Sequence, residues 1–79
     1  MKNKLEIRDL NQASLLFARD YNFEKVEWER NIAYFIFEDE DGGAEELIRD
    51  YLNGQVIGDI KKFADAQRTL KNVLFSSKK

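Results

Sequence analysis

The chain has 79 residues, a net charge of −2, and neither cysteine, histidine nor proline. A chain this short forms one domain, residues 1–79, and buries roughly 60% of the surface that it exposes when unfolded. Without cysteine, disulfides and thiolate metal sites are excluded, and the commonest catalytic bases and nucleophiles are missing. We therefore expect a non-enzymatic protein with no cofactor and no small-molecule substrate.

Apolar segments in this chain are short. None approaches the ~20 consecutive apolar residues of a membrane span, and residues 1–6 lack the apolar stretch of a signal peptide. We expect a soluble cytoplasmic protein that does not bind membranes.

The first predicted elements are a short edge strand and a helix. Residues 4–8 alternate polar and apolar side chains, as a strand does. Asp9 matches a helix N-cap, with Gln12 placed to reach back to it. The apolar residues after Asp9 recur at helical spacing and predict a helix that ends near Asp20.

Residues 23–30 and 32–38 are predicted to form a hairpin, with Asn31 left-handed in the turn. Phe23 falls out of phase with the apolar side chains of the first strand. On the second strand both faces are apolar: Ile32, Tyr34 and Ile36 on one, and Ala33, Phe35 and Phe37 on the other. Helices can cover one face, so the other favours a partner.

The remaining elements are an acidic loop and two more helices. Residues 38–43 form the loop, and a helix then runs to about Asn53, where Gly54 provides a left-handed cap. Residues 55–57 fit a short fourth strand. Asp59 can cap a final helix to about Phe75, and residues 76–79 read as a flexible tail.

This pattern predicts the α+β class, in the order β-α-β-β-α-(β)-α. We expect a small, mainly antiparallel sheet, made of the central hairpin and an edge strand, with three helices packed against it.

Four side chains are the best binding candidates, because in one strand register they share an open sheet face: Val26, Trp28, Tyr34 and Ile36. Exposed aromatics can anchor a protein partner or a second copy of the chain. They can also stack single-stranded nucleic-acid bases. The second use would be aided by a basic final helix carrying Lys61, Lys62, Arg68 and Lys71, although the low pI disfavours it.

A second candidate surface is acidic. The acidic patch is made of Glu38, Asp39, Glu40, Asp41, Glu45 and Glu46. Such carboxylates can imitate phosphates and inhibit a nucleic-acid-binding partner, although a solvated loop before a helix N-terminus accounts for them more simply. The spacing does not match a calcium loop, which has glycine at its sixth position. If Asp39 is counted as the first position, Gly42 is only the fourth.

Several segments together resemble a small uncharacterised bacterial and phage domain family, a domain of unknown function. The similar segments span residues 5–75: Asp9-Leu10, Phe35-Ile36-Phe37-Glu38, residues 47–51, Asn53-Gly54-Gln55-Val56, Phe63, Ala66, Leu70-Lys71 and Val73-Leu74-Phe75. The resemblance implies an accessory protein of bacteria or mobile elements and implies no activity. Members often have glycine after the first helix, where this chain has Asp20.

The sequence therefore predicts a small accessory or regulatory protein-interaction domain that can self-associate through an aromatic sheet face. Single-stranded nucleic-acid binding and acidic mimicry of nucleic acid are the alternatives.

Overall fold

A computed structural model describes residues 3–77. The elements in chain order are β1 (Asn3–Ile7), α1 (Leu10–Ala18), β2 (Phe23–Glu29), β3 (Ile32–Asp39), α2 (Gly43–Leu52) and α3 (Ile60–Ser77). The strands form one antiparallel sheet in the order β1-β3-β2. This confirms the predicted α+β class and the order of the elements.

The core lies between one face of the sheet and the helices. Phe35 and Phe37 of β3 are fully buried and pack with Leu16 of α1 and Leu70 of α3. Helix α1 packs mainly along α3, whereas α2 lies against α1 and β3. The middle strand therefore supplies the largest buried side chains, and each helix contributes to covering them.

A β-bulge explains why Phe23 is out of phase. Phe23 lies opposite Phe37, whereas Lys25 lies opposite Ile36, so Glu24 is an extra residue on β2. One inserted residue reverses the alternation of a strand. Phe23 therefore joins the core face, with its ring centroid 5.4 Å from that of Phe37.

The predicted caps of α1, α2 and α3 are confirmed. The Asp9 carboxylate accepts from the backbone N–H groups of Asn11 and Gln12, which shows that Gln12 contributes its backbone rather than its side chain. Asp59 accepts from the N–H groups of Lys61 and Lys62 in the same way. After α2, Gly54 has a φ of 71°.

Two boundary predictions are wrong. No strand forms at residues 55–57, where the Ile57 carbonyl accepts a 2.6 Å hydrogen bond from the Arg19 guanidinium instead of pairing with a strand. Helix α3 continues through Ser77, two residues beyond its predicted end, and the Ser77 hydroxyl donates to the Leu74 carbonyl. Lys78 and Lys79 lie outside the described residues.

Helix α1 ends earlier than predicted, and the hairpin turn has a different left-handed residue. Arg19 caps α1, and Asp20 takes a φ of 65°. In the turn Arg30 has a φ of 59°, and the prediction for Asn31 is wrong. A positive φ at the first of two turn residues is typical of a type II′ turn, which matches the right-handed strand twist.

We predict that Arg30→Gly stabilises the fold by about 0.5–1 kcal/mol. A residue with a Cβ at positive φ destabilises the folded state by roughly 1–2 kcal/mol, and glycine removes this strain. Glycine also loses more conformational entropy on folding, which offsets part of the stabilisation. Urea unfolding measures the difference, and Asn31→Gly is the matched control, which should bring no gain. A stabilised Asn31→Gly with an unchanged Arg30→Gly would contradict the turn assignment.

Candidate functional site

The four predicted interface residues do not share a face. Val26 lies opposite Phe35 and Trp28 opposite Ala33, so both point to the helix side. The Trp28 indole donates to the Ser77 hydroxyl at 3.1 Å, under the last turn of α3. Tyr34 and Ile36 lie on the other side. The prediction that the four side chains share a face is therefore wrong. Val26 and Trp28 lie opposite odd-numbered residues of β3, whereas Tyr34 and Ile36 are even-numbered residues of that strand.

The open sheet face, opposite the helices, is covered largely by its own charged side chains. Ile36 is only 3% exposed on this face. Lys25 and Glu6 lie on either side of it, on the two neighbouring strands. The Lys25 ammonium contacts the Glu27 carboxylate at 3.0 Å, so their aliphatic stems can cover apolar surface while their charges reach water. This face therefore does not need a partner in order to bury Ile36.

The aromatic surface on this face is small. Tyr34 is half-buried and Ile32 is 37% exposed. The charged side chains around them are Lys4, Glu6, Lys25, Glu27, Glu29 and Glu38. With four carboxylates and two ammonium groups, this face is unfavourable for phosphates.

Two members of the acidic patch are helix caps. Asp39 is 2% exposed, and its two carboxylate oxygens accept from the N–H groups of Ala44 at 3.1 Å and Glu45 at 3.3 Å. Asp41 accepts from the Gly43 N–H at 2.9 Å. Gly42, the N-cap of α2, has no side chain for this purpose. Asp39 therefore does not belong to an exposed patch, whereas Glu40, Glu45 and Glu46 are exposed.

Tyr21 lies against this capped end of α2. A Cβ added to Gly43 would come within 2.9 Å of the Tyr21 hydroxyl, which explains a glycine at the start of the helix. Burial raises the pKa of Tyr21, and the nearby Asp41 and Asp39 carboxylates raise it further. The phenol therefore stays neutral and serves as packing.

Three of the four cations of the basic helix lie near a carboxylate, and two of them share the same one. Lys61 and Arg68 lie 2.9 Å and 3.6 Å from the two Asp65 carboxylate oxygens, and Lys62 lies 3.7 Å from Asp20. The hydrogen bond and charge of Lys61 lower the pKa of Asp65. Lys71 is exposed near the other end of α3. The four cations thus do not form a strong phosphate-binding stripe.

A groove lies where the end of α1, the connection between α2 and α3, and the start of α3 meet. Its volume is about 660 Å³. The apolar part of its lining comes from Leu15, Tyr51, Val56, Ile57, Ile60 and Phe63. Arg19, Asp59 and Lys62 also line it. The groove therefore combines apolar walls with charges of both signs.

Two isoleucines of the groove are almost fully in water. Ile57 is 90% exposed and Ile60 is 84% exposed. Sequence reasoning missed both, because residues 55–57 resembled a strand and Ile60 matched the apolar stripe of the last helix. One signal in the sequence could have identified Ile57 as exposed. The apolar pair Val56-Ile57 lies between Gly54 and Gly58, in a segment that is too short to form a strand.

Comparison with known proteins gives the family. Residues 2–76 match the model of a domain of unknown function, DUF5659. The chain belongs to this family. No curated protein and no solved structure matches the DUF5659 chain.

Two further features of this DUF5659 domain bear on its chemistry. Between residues 3 and 77, no helix is both long enough and apolar enough to cross a bilayer. In the same range, no three acidic side chains come together as metal ligands. The oxygens of Asp39 are instead directed at the backbone of α2.

We predict that Asp39→Ala destabilises the domain by about 1–2 kcal/mol, because two N–H groups at the start of α2 lose their acceptors. The matched control is Asp41→Ala, which removes one exposed cap and should cost about 0.5 kcal/mol. Thermal and urea unfolding measure both. Equal stabilities for the two variants would contradict the assignment of Asp39 as the main cap.

Proposed function

We propose that this DUF5659 domain is a non-enzymatic protein-interaction domain, a small accessory or regulatory factor, and that the groove is its binding surface. The observation that carries the proposal is the exposure of Ile57 and Ile60 at the edge of an apolar-walled groove. The proposal includes a cytoplasmic role in bacteria or their phages, which rests on the resemblance described above.

Leaving Ile57 and Ile60 in water is unfavourable. Burying an exposed isoleucine is worth roughly 1.5–3 kcal/mol. The two side chains stand at the start of α3 and in the connection before it, where residues 3–77 provide no cover. Contiguous exposed apolar surface of this kind is characteristic of binding sites. A protein partner that covers both isoleucines would gain from each.

Protein fits the groove better than nucleic acid does. Tyr51 and Phe63 line the groove together with aliphatic side chains, and Arg19 lies at its edge. Tyrosine and arginine are enriched among the residues that dominate protein interfaces. The rim charges include Asp59 as well as Arg19 and Lys62, so the rim does not offer the continuous positive charge that phosphates require.

The test compares affinity capture by the wild-type chain, by Ile57→Ser/Ile60→Ser and by Phe75→Ser. Phe75 is 73% exposed on α3 and does not line the groove, so it is the matched apolar control. We expect a protein that is retained by the wild type and by Phe75→Ser but lost by the double variant. Calorimetry with that protein in purified form should give at least a tenfold weaker affinity for the double variant, equivalent to about 1.4 kcal/mol.

Identical capture by all three chains, or no protein retained by the wild type, would contradict the groove as the binding surface. Circular dichroism should give the same helix content for the three proteins, because the substituted side chains are exposed.

A further inference from the structure

We propose that the partner at the groove is a second copy of this chain, arranged about a two-fold axis so that Ile57 of each subunit enters the groove of the other. This inference rests on the proposed function, since it uses the same surface. It replaces the aromatic sheet face, predicted from the sequence, with a different surface for self-association.

The shape of the groove suits a second copy of the chain. Ile57 projects from the connection and is 90% exposed, while Tyr51, Val56 and Phe63 beside it form concave walls. A two-fold contact places the same patch on both subunits, so the patch must be complementary to itself. A protruding side chain next to a groove meets this requirement, because each subunit supplies one knob and one hole.

The charges that line the groove also suit a second copy of the chain. The Arg19 guanidinium donates to the Ile57 carbonyl, and no carboxylate of residues 3–77 lies within salt-bridge distance of it. One carboxylate oxygen of Asp59, Oδ1, accepts both N-terminal hydrogen bonds of α3, from the N–H groups of Lys61 and Lys62. A two-fold contact lets Arg19 of one subunit pair with Asp59 of the other. Opposite charges on one rim match each other in such a contact, whereas a strongly acidic or basic partner would meet repulsion from one of them.

A dimer would also cover a substantial part of the surface of this small domain. A standard interface buries about 800 Å² on each partner, and the chain exposes 5753 Å². A dimer would therefore cover about one seventh of the surface. Four of the eleven buried apolar residues within 3–77 are alanines, namely Ala13, Ala18, Ala44 and Ala66, so only seven large side chains form the core of one subunit. Association would add the burial that a short chain lacks.

Analytical ultracentrifugation from low to high micromolar concentration tests the proposal with the wild type, Ile57→Glu and Phe75→Glu. We expect the wild type and Phe75→Glu to shift from the mass of one chain to that of two. A buried carboxylate at position 57 should hold Ile57→Glu at the mass of one chain throughout, with at least a hundredfold weaker association. Melting temperatures at the lowest concentration should agree between the two variants, because both side chains are exposed.

A wild type that remains monomeric at high micromolar concentration would overturn the second copy as partner. Equal weakening by the substitutions at positions 57 and 75 would overturn it as well, because the contact would then not depend on the groove. The wild type could be monomeric while affinity capture retains another protein that the Ile57→Ser/Ile60→Ser variant does not retain. In that case the proposed function stands without this inference. If both experiments show no dependence on position 57, the two proposals fail together.

Discussion

The structure depends on the burial of Phe35 and Phe37 on one face of the middle strand. These side chains are the largest fully buried ones between residues 3 and 77, and they contact α1 and α3 through Leu16 and Leu70. Their burial fixes which face of the sheet the helices cover. Because residues opposite each other share a face, it also places Val26 and Trp28 on the helix side. The open face is left with Tyr34, Ile36 and charged neighbours.

Local signals in the sequence predicted much of this fold. Asp9 and Asp59 cap helices through bonds to residues two and three positions away, and Gly54 ends a helix within the same few residues. Such interactions are encoded by neighbouring residues, so a single sequence reveals them. The same reasoning found the hairpin and the order of all the elements.

The features that were missed depend on distant contacts. The bulge at Glu24 changes the face on which Phe23 lies, and the sequence shows only that Phe23 is out of phase, without giving the position of the extra residue. Asp39 looks like part of an acidic loop until α2 folds back over it and buries its carboxylate. Ile57 resembles a strand residue, but the Arg19 guanidinium from α1 occupies its carbonyl. At Asp39 and Ile57 the errors arose because residues far apart in the chain compete with the local pattern.

The two most exposed large apolar side chains, Ile57 and Ile60, therefore lie in the connection before α3 and at the start of α3 and not on the sheet. On the sheet, charged side chains with long aliphatic stems cover Ile36, so water meets mainly carboxylates and ammonium groups. At the connection, two glycines limit the local cover and the neighbouring side chains form a groove. The charged segments contribute mostly to the fold, since Asp39, Asp59 and Asp65 are held by caps or ion pairs.

The most direct test of this account is solvent paramagnetic relaxation of isoleucine methyl groups by NMR, at the lowest usable protein concentration. The account predicts that a soluble paramagnetic probe strongly relaxes the methyl groups of Ile57 and Ile60 and leaves those of Ile7 and Ile36 protected. Strong relaxation at Ile36 together with protection at Ile57 would place the exposed apolar surface on the sheet and contradict the account.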